Sequence, residues 1–166
     1  MALNQALLPE FDNEMATTRK VLERVPDDKL AWKPHDKSMS MSKLATHLAT
    51  IGGFVPAILG QDAFDVKNSP PNPDLGSRKE IVATFDERSA DARKALASAT
   101  DEQLMKPWSL KLDGKDIFTA PRIVVLRSFF MNHSIHHRGQ LSVYLRLNNV
   151  AVPSIYGPSA DENPFG

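Results

Sequence analysis

Apolar residues recur at helical spacing along most of this chain. Leu3, Leu7, Phe11, Met15, Thr18, Leu22 and Val25 return every three or four positions, which predicts one amphipathic helix ending before Pro26. Pro9 falls early in that run and predicts a kink or a separate first turn. A polar connector holding Trp32, Pro34 and His35 follows, as far as Met39. Ser40 is placed to N-cap a second helix from Met41 to about Gly60, with Leu44, Leu48, Ile51, Phe54, Val55 and Ile58 on one side. Gly52, Gly53 and Pro56 predict a kink or a close helix approach within it.

Residues 61–76 contain Asn68-Ser69-Pro70-Pro71-Asn72-Pro73 and form a loop by composition. Ser77 with Glu80 is a capping box that opens a third helix through about Ser98, its inner positions Ile81, Phe85, Ala92 and Leu96. Thr100 with Gln103 caps one more short turn. Trp108 to Asp116 alternates around Asp113-Gly114, a weak signal for a hairpin or an extended connector. Thr119-Ala120-Pro121 starts the last long helix, with Pro121 at the first helical position, and the helix runs to about Leu147 or Asn148. Four long helices, long loops and an irregular Pro- and Gly-rich tail from Pro153 to Pro158 read as an all-α four-helix bundle in a single domain, residues 1–166.

Composition narrows the function classes. Lys plus Arg equals Asp plus Glu at 20 each, and no basic run stands out, so no nucleic-acid partner is expected. Cysteine is absent, which removes disulfides, thiolate metal sites and a cysteine nucleophile, leaving histidine and carboxylate as the strong metal ligands. No apolar run approaches the roughly 20 residues that span a bilayer. The N-terminus lacks a positively charged leader, so a cytoplasmic protein with no membrane partner is expected.

Candidate chemistry concentrates in Asn132-His133-Ser134-Ile135-His136-His137-Arg138-Gly139-Gln140, which holds three of the five histidines. His133 and His137 are four apart and so stand one above the other on a helix, the spacing at which two imidazoles can share a metal ion. On a wheel at about 100° per residue, both fall within the apolar face, Gln140 also points inward and His136 lies on the flank. Arg138 points away, toward a surface ion pair. The same construction turns His47 inward on the second helix, near the edge of its stripe. Three inward histidines want partners, since an unpaired buried polar group costs on the order of 1–3 kcal/mol. A shared metal meets that need, and so do separate hydrogen bonds to neighbouring hydroxyls or carbonyls; spacing alone leaves both open.

Several segments together resemble the DinB-like (DinB/YfiT-like) metalloenzyme superfamily over nearly the whole chain. They are Trp32-Lys33-Pro34, Ser40-Met41-Ser42, Leu44-Ala45-Thr46-His47-Leu48, His133-Ser134-Ile135-His136-His137-Arg138-Gly139-Gln140 and Val152-Pro153-Ser154-Ile155-Tyr156-Gly157. The resemblance implies an antiparallel four-helix bundle, often a homodimer, with a three-histidine centre for a divalent metal. Carried over by position, the ligands are His47, His133 and His137. His136 becomes a neighbour or pocket residue, and less readily a ligand replacing His137. Gln140, Trp32 and Tyr156 are the remaining pocket candidates, Tyr156 because the resemblance brings the tail near the bundle mouth. The catalytic residues are unassigned. Zinc or nickel is the expected ion, with iron next.

Three protein ligands leave coordination open for water or substrate. Two chemistries follow: transfer of a low-molecular-weight thiol to a small electrophile, which the resemblance also implies, or hydrolysis of a small substrate. Hydrolysis wants a carboxylate base, yet no Asp or Glu occurs in residues 40–60 or 121–150, which favours thiol activation; Asp62, Asp65 or Asp161 could still supply an acid from a loop. A third reading is a non-enzymatic, stress-related metal- or ligand-binding module.

Overall fold

The first helix, α1, runs without interruption from Leu3 to Leu22, so Pro9 neither breaks it nor separates its first turn. Its end is anchored through the Leu3 amide, which donates to Asp101 Oδ1 at 2.7 Å. The structure, a computed structural model, describes residues 1–69 and 71–165. Pro70 of the expected loop and Gly166 lie outside them.

The second helix is interrupted where its glycines fall. Ser40 Oγ accepts from the Lys43 amide and opens α2, Met41–Thr50; a 3-10 turn over Ile51–Gly53 then leads to α3, Phe54–Gly60. The cause is close approach. A Cβ on Gly52 would stand 3.2 Å from the carbonyl oxygen of Arg88 on the neighbouring helix. That neighbour, α4, spans Arg78–Ser98 with Ser77 Oγ accepting from the Glu80 amide, and Glu80 Oε2 reaches back to the amide of Gly76. Thr100 caps the short α5, Asp101–Met105.

The remaining elements overturn the all-α four-helix bundle. The fold is mixed α/β, with a three-stranded sheet made of β1 (Ala63–Asp65), β2 (Pro107–Leu112) and β3 (Lys115–Pro121) in the order β1-β2-β3. β1 runs parallel to β2, with Phe64 opposite Leu110, and β2 pairs antiparallel with β3, with Leu112 opposite Lys115. Asp113 and Gly114 both take positive φ (52° and 76°), the backbone that closes a two-residue hairpin in the twist of its strands. β1 lies inside the expected loop; at three residues it is too short for alternation to declare it, and its pairing with β2 comes from tertiary contact. Pro121 ends β3 and is the N-cap residue of the helix that follows, one position before the first helical position expected of it.

After β3 the chain forms α6, Arg122–Val125, then a π-helical segment over Leu126–Asn132, then α7, His133–Leu147. The π segment bonds i→i+5 and so turns less per residue than an α-helix. α7 packs against α1 on one side and α2 on the other. Both sides are polar at its first turns. Toward α1, Arg138 is 1 % exposed and pairs with Glu14, 6 % exposed, which corrects the surface ion pair expected of it. The apolar core lies between the helices, with Phe11 stacked on Phe130 and Leu22, Leu44, Leu48, Ile81, Leu141 and Leu145 buried around them. The sheet covers the end of the α2–α3 layer, with Trp108 buried and the Phe64 and Phe54 rings meeting edge to face. No helix among the described residues is long and apolar enough to cross a membrane.

Candidate metal centre

α2 and α7 face each other, and three imidazoles meet between them. His47 sits two turns into α2; His133 and His137 occupy the first two turns of α7. The Nε2 atoms of His137 and His133 are 2.7 Å apart, and those of His47 and His133 are 3.4 Å apart. One ring nitrogen from each histidine falls within 4.8 Å of the other two.

For His137 the hydrogen bonds fix which nitrogen points inward as a lone pair. His137 Nδ1 is 2.7 Å from Gln140 Oε1, and because an amide oxygen can only accept, Nδ1 carries the proton. The His133 ring is held by the backbone of Phe129. A neutral imidazole has one N–H, so the Nε2 of His137 faces the cluster as an acceptor. Acceptors crowded together repel unless a proton or a cation lies among them. Protonation is opposed. Burial, then the neighbouring His137 and His133, brings the His47 pKa down to about 4. Burial also lowers His133 and His137, in each case against a hydrogen bond that raises it. A divalent cation is what this donor set fits: neutral imidazoles, Nε2 inward, with the opposite nitrogen of His137 tied to a neighbour as metal-ligating histidines usually are. Nitrogens about 2.0–2.1 Å from a tetrahedral ion stand roughly 3.3 Å from one another, which the His47–His133 separation matches and the tighter His133–His137 pair would relax toward.

Beside the cluster lies an apolar cavity of about 170 Å³ lined by His47, His133, Ile51, Phe54, Phe129 and Trp108, among others. It is walled on one side by the sheet through Phe64 and Leu110. A wider hollow of about 490 Å³ continues from His47 past Gly53 and Asn72 to Thr84 and Arg88 on α4. A third, of about 430 Å³, joins His47 to Lys43, Asn72 and Asp74.

The remaining candidates divide. Gln140 is exposed yet holds His137. His136 stays on the flank, exposed, its ring 4.9 Å from that of His137 and outside the converging set. Trp32 meets Tyr144 edge to face at 5.4 Å and does not line the cavities that contain His47. Tyr156 is carried to the opposite side of α7, where its hydroxyl accepts from Arg138 and donates to Glu14. The three loop acids are spoken for elsewhere: Asp62 pairs with Arg122, Asp65 caps the amides of Lys67, Asp113 and Gly114, and Asp161 pairs with Arg146. Trp108, Leu110, Phe64, Asp74 and Arg88 had no sequence signal, because the first three reach the site through sheet pairing, Asp74 through loop closure and Arg88 through the packing of α4 on the glycine pair.

A histidine-lined centre between two helices, closed by a small sheet, defines the class. The chain belongs to the DinB family, whose model matches residues 1–163. It is 25% identical over 158 residues to YrdA of Bacillus subtilis, described as uncharacterized, covering 93% of this chain and 89% of that protein. It is also 25% identical over 149 residues to YjoA of the same organism, described likewise, with 88% and 91% covered. The crystal structure of a DinB-like protein from Bacillus cereus superposes with a TM-score of 0.73 at 22% identity, covering 93% of this chain and 98% of that one. The structure of YjoA gives 0.71 at 21% identity, with 90% and 97% covered. These likenesses define the fold.

Proposed function

We propose that the protein binds one divalent transition metal through Nε2 of His47, His133 and His137 and acts as a metal-dependent thiol S-transferase on small electrophiles. The observation that carries the metal assignment is the convergence of three imidazole nitrogens whose inward-facing atoms have, among the described residues, no partner but one another. Zinc and nickel are the first candidates, and iron the next, since an all-imidazole site suits each. When bound, such a cation supplies Lewis acidity at an open position, bringing a thiol or water nearer neutrality in pKa. In the transfer, the thiol proton leaves to solvent, sulfur forms a bond to the electrophilic carbon, and the leaving group departs with the electrons of the bond that breaks. The chain's own contribution is the setting. Phe54, Phe129, Ile51 and Trp108 exclude water from beside the imidazoles and favour a carbon-rich reactant, and Gln140 holds His137 in register.

Thiol transfer is preferred because no carboxylate among the described residues lines the apolar cavity. One observation favours the alternative of hydrolysis: Asp74 lines the hollow shared with His47 and has no hydrogen-bond or ion-pair partner among the described residues, so it is free to serve as a base. Elemental analysis of the purified protein tests the metal, with bound metal expected in the wild type and in His136→Ala and lost in His47→Ala, His133→Ala and His137→Ala. Full metal content after loss of His47 would sink the three-ligand centre. Cobalt-substituted protein titrated with thiols separates the two chemistries: an absorption change on thiol addition supports transfer, and its absence, with activity lost in Asp74→Asn, supports hydrolysis.

A further inference from the structure

Arg88 is the odd arginine of this chain. Every other arginine donates its guanidinium to a protein oxygen, in most cases a carboxylate. Among the described residues, Arg88 alone has no acceptor, and no acidic side chain pairs with it. Its position is not arbitrary. Its stem lies against the glycine pair that breaks the second helix: a Cβ on Gly53 would meet Arg88 Cδ at 3.5 Å and Nε at 4.0 Å, and one on Gly52 would press on its backbone at 3.2 Å. The backbone of one helix is thus bared where the arginine crosses it, and the guanidinium lines the hollow that begins at His47. Thr50, Asn72 and Thr84 line the same hollow, whereas the inner cavity beside it is walled almost wholly by apolar side chains.

We propose that Arg88 is an anion-binding subsite of this cavity, and that the ligand is a small molecule with an apolar body and a terminal carboxylate or phosphate. The planar guanidinium fork matches either oxyanion. The apolar body would fill the cavity beside Phe54 and Phe64, and the far end would reach the imidazoles; what that end does there rests on the metal reading above. From His47 the chain runs three α-helical residues to Thr50 and three more through the 3-10 turn to Gly53, roughly 10 Å at 1.5 and 2.0 Å per residue, so the ligand is a chain of about eight atoms rather than a two-carbon acid.

The metal-free protein at pH 7.5 offers a probe that does not depend on the metal. Calorimetric titration with octanoate, hexyl phosphate and 1-octanol is expected to show one or both anions binding roughly two- to fivefold more tightly than the alcohol, the range of a solvated ion pair. The anion preferred names the source. Arg88→Gln should abolish that preference and Arg88→Lys keep part of it, with circular dichroism unchanged. Equal affinity for the alcohol, or a preference that survives Arg88→Gln, overturns the subsite. Cobalt-loaded protein titrated with 8-mercaptooctanoate and 8-mercaptooctanol then separates the two claims. An octanoate preference with no thiol-dependent absorption leaves the subsite standing and removes the thiol reading. Thiol spectra with equal affinity in wild type and Arg88→Gln do the reverse.

Discussion

His137 and Arg138 are consecutive residues, both buried, and they face two polar clusters of opposite character. Arg138 donates to the Glu14 carbonyl and to Thr18 Oγ1, pairs with Glu14 Oε2 at 2.7 Å, and donates to the Tyr156 hydroxyl, which in turn donates to Glu14. The guanidinium carbon also sits 5.0 Å from the centre of the Tyr156 ring. Burial and the bond to Glu14 raise the Tyr156 pKa, so its hydroxyl stays a donor. Glu14, Thr18 and Tyr156 together engage both terminal nitrogens of the Arg138 guanidinium. The histidines on the other flank of the buried face turn ring nitrogens toward one another, His137 Nε2 as an acceptor. One cluster is closed within the protein and is structural; the other is complete only with something added. Burial and polarity are shared, so what separates function from packing here is whether donors and acceptors balance.

Breaking the closed cluster should have the largest effect on folding. Arg138→Ala leaves the Glu14 charge buried and unpaired, a loss of about 3–5 kcal/mol, or roughly 6–20 °C in Tm for a chain of this length. Metal stoichiometry measured below the variant's Tm should be that of the wild type. Loss of metal in folded Arg138→Ala would mean that the two clusters are one unit.

The open cluster should answer to metal instead. Free zinc at a hundred times its Kd adds about 2.7 kcal/mol, or roughly 5–10 °C of Tm. Calorimetry should find that increment absent in His47→Ala, His133→Ala and His137→Ala and present in Arg138→Ala. An undiminished zinc shift in any of the three would break the contrast. Gln140→Ala removes only the bond that orients His137 and should weaken zinc about 10- to 100-fold, the usual cost of losing such a partner, with the metal-free Tm unchanged; a wild-type Kd would show that Gln140 does not orient the ligand.

The smallest expected effect is on pH. His47 titrates near 4 in the folded chain and near its ordinary 6.5 when unfolded, and His133 and His137 are lowered in the same direction. Between those values the unfolded state binds more protons, so stability rises with pH. The metal-free protein should therefore lose stability as pH falls from 6.5 toward 4 and hold a plateau above. His47→Phe should flatten that slope; an unchanged slope would assign it to other groups.

The helices were legible because their signals are local. Ser40, Ser77 and Thr100 each cap in the structure as their spacing to the next polar residue predicts, and the i, i+4 histidine pair survives any packing of its helix. The sheet was not legible, since β1 has three residues and exists only by pairing with a strand more than forty positions away. Glu14 did leave a trace. It occupies a core position in the series Phe11, Glu14, Thr18, Val21 and Val25, where an acid needs a buried cation. The wheel through the last helix misplaced Arg138 because its apolar face was referred to Leu126, Phe129 and Phe130, in a segment that turns more slowly than α7; the buried face of α7 is centred on Ser134, Leu141 and Leu145, between the two polar clusters.

That slow-turning segment also decides where this helix can change length. A π turn holds one residue more than an α turn does, so Leu126–Asn132 stores a surplus ahead of His133. A deletion within 126–132 would draw on that store and leave the phase of everything after it intact. The same deletion between His133 and His137 would swing the second imidazole by about 100° and dismantle the centre. Asn132 is thus a border between sequence that can be edited in length and sequence that cannot.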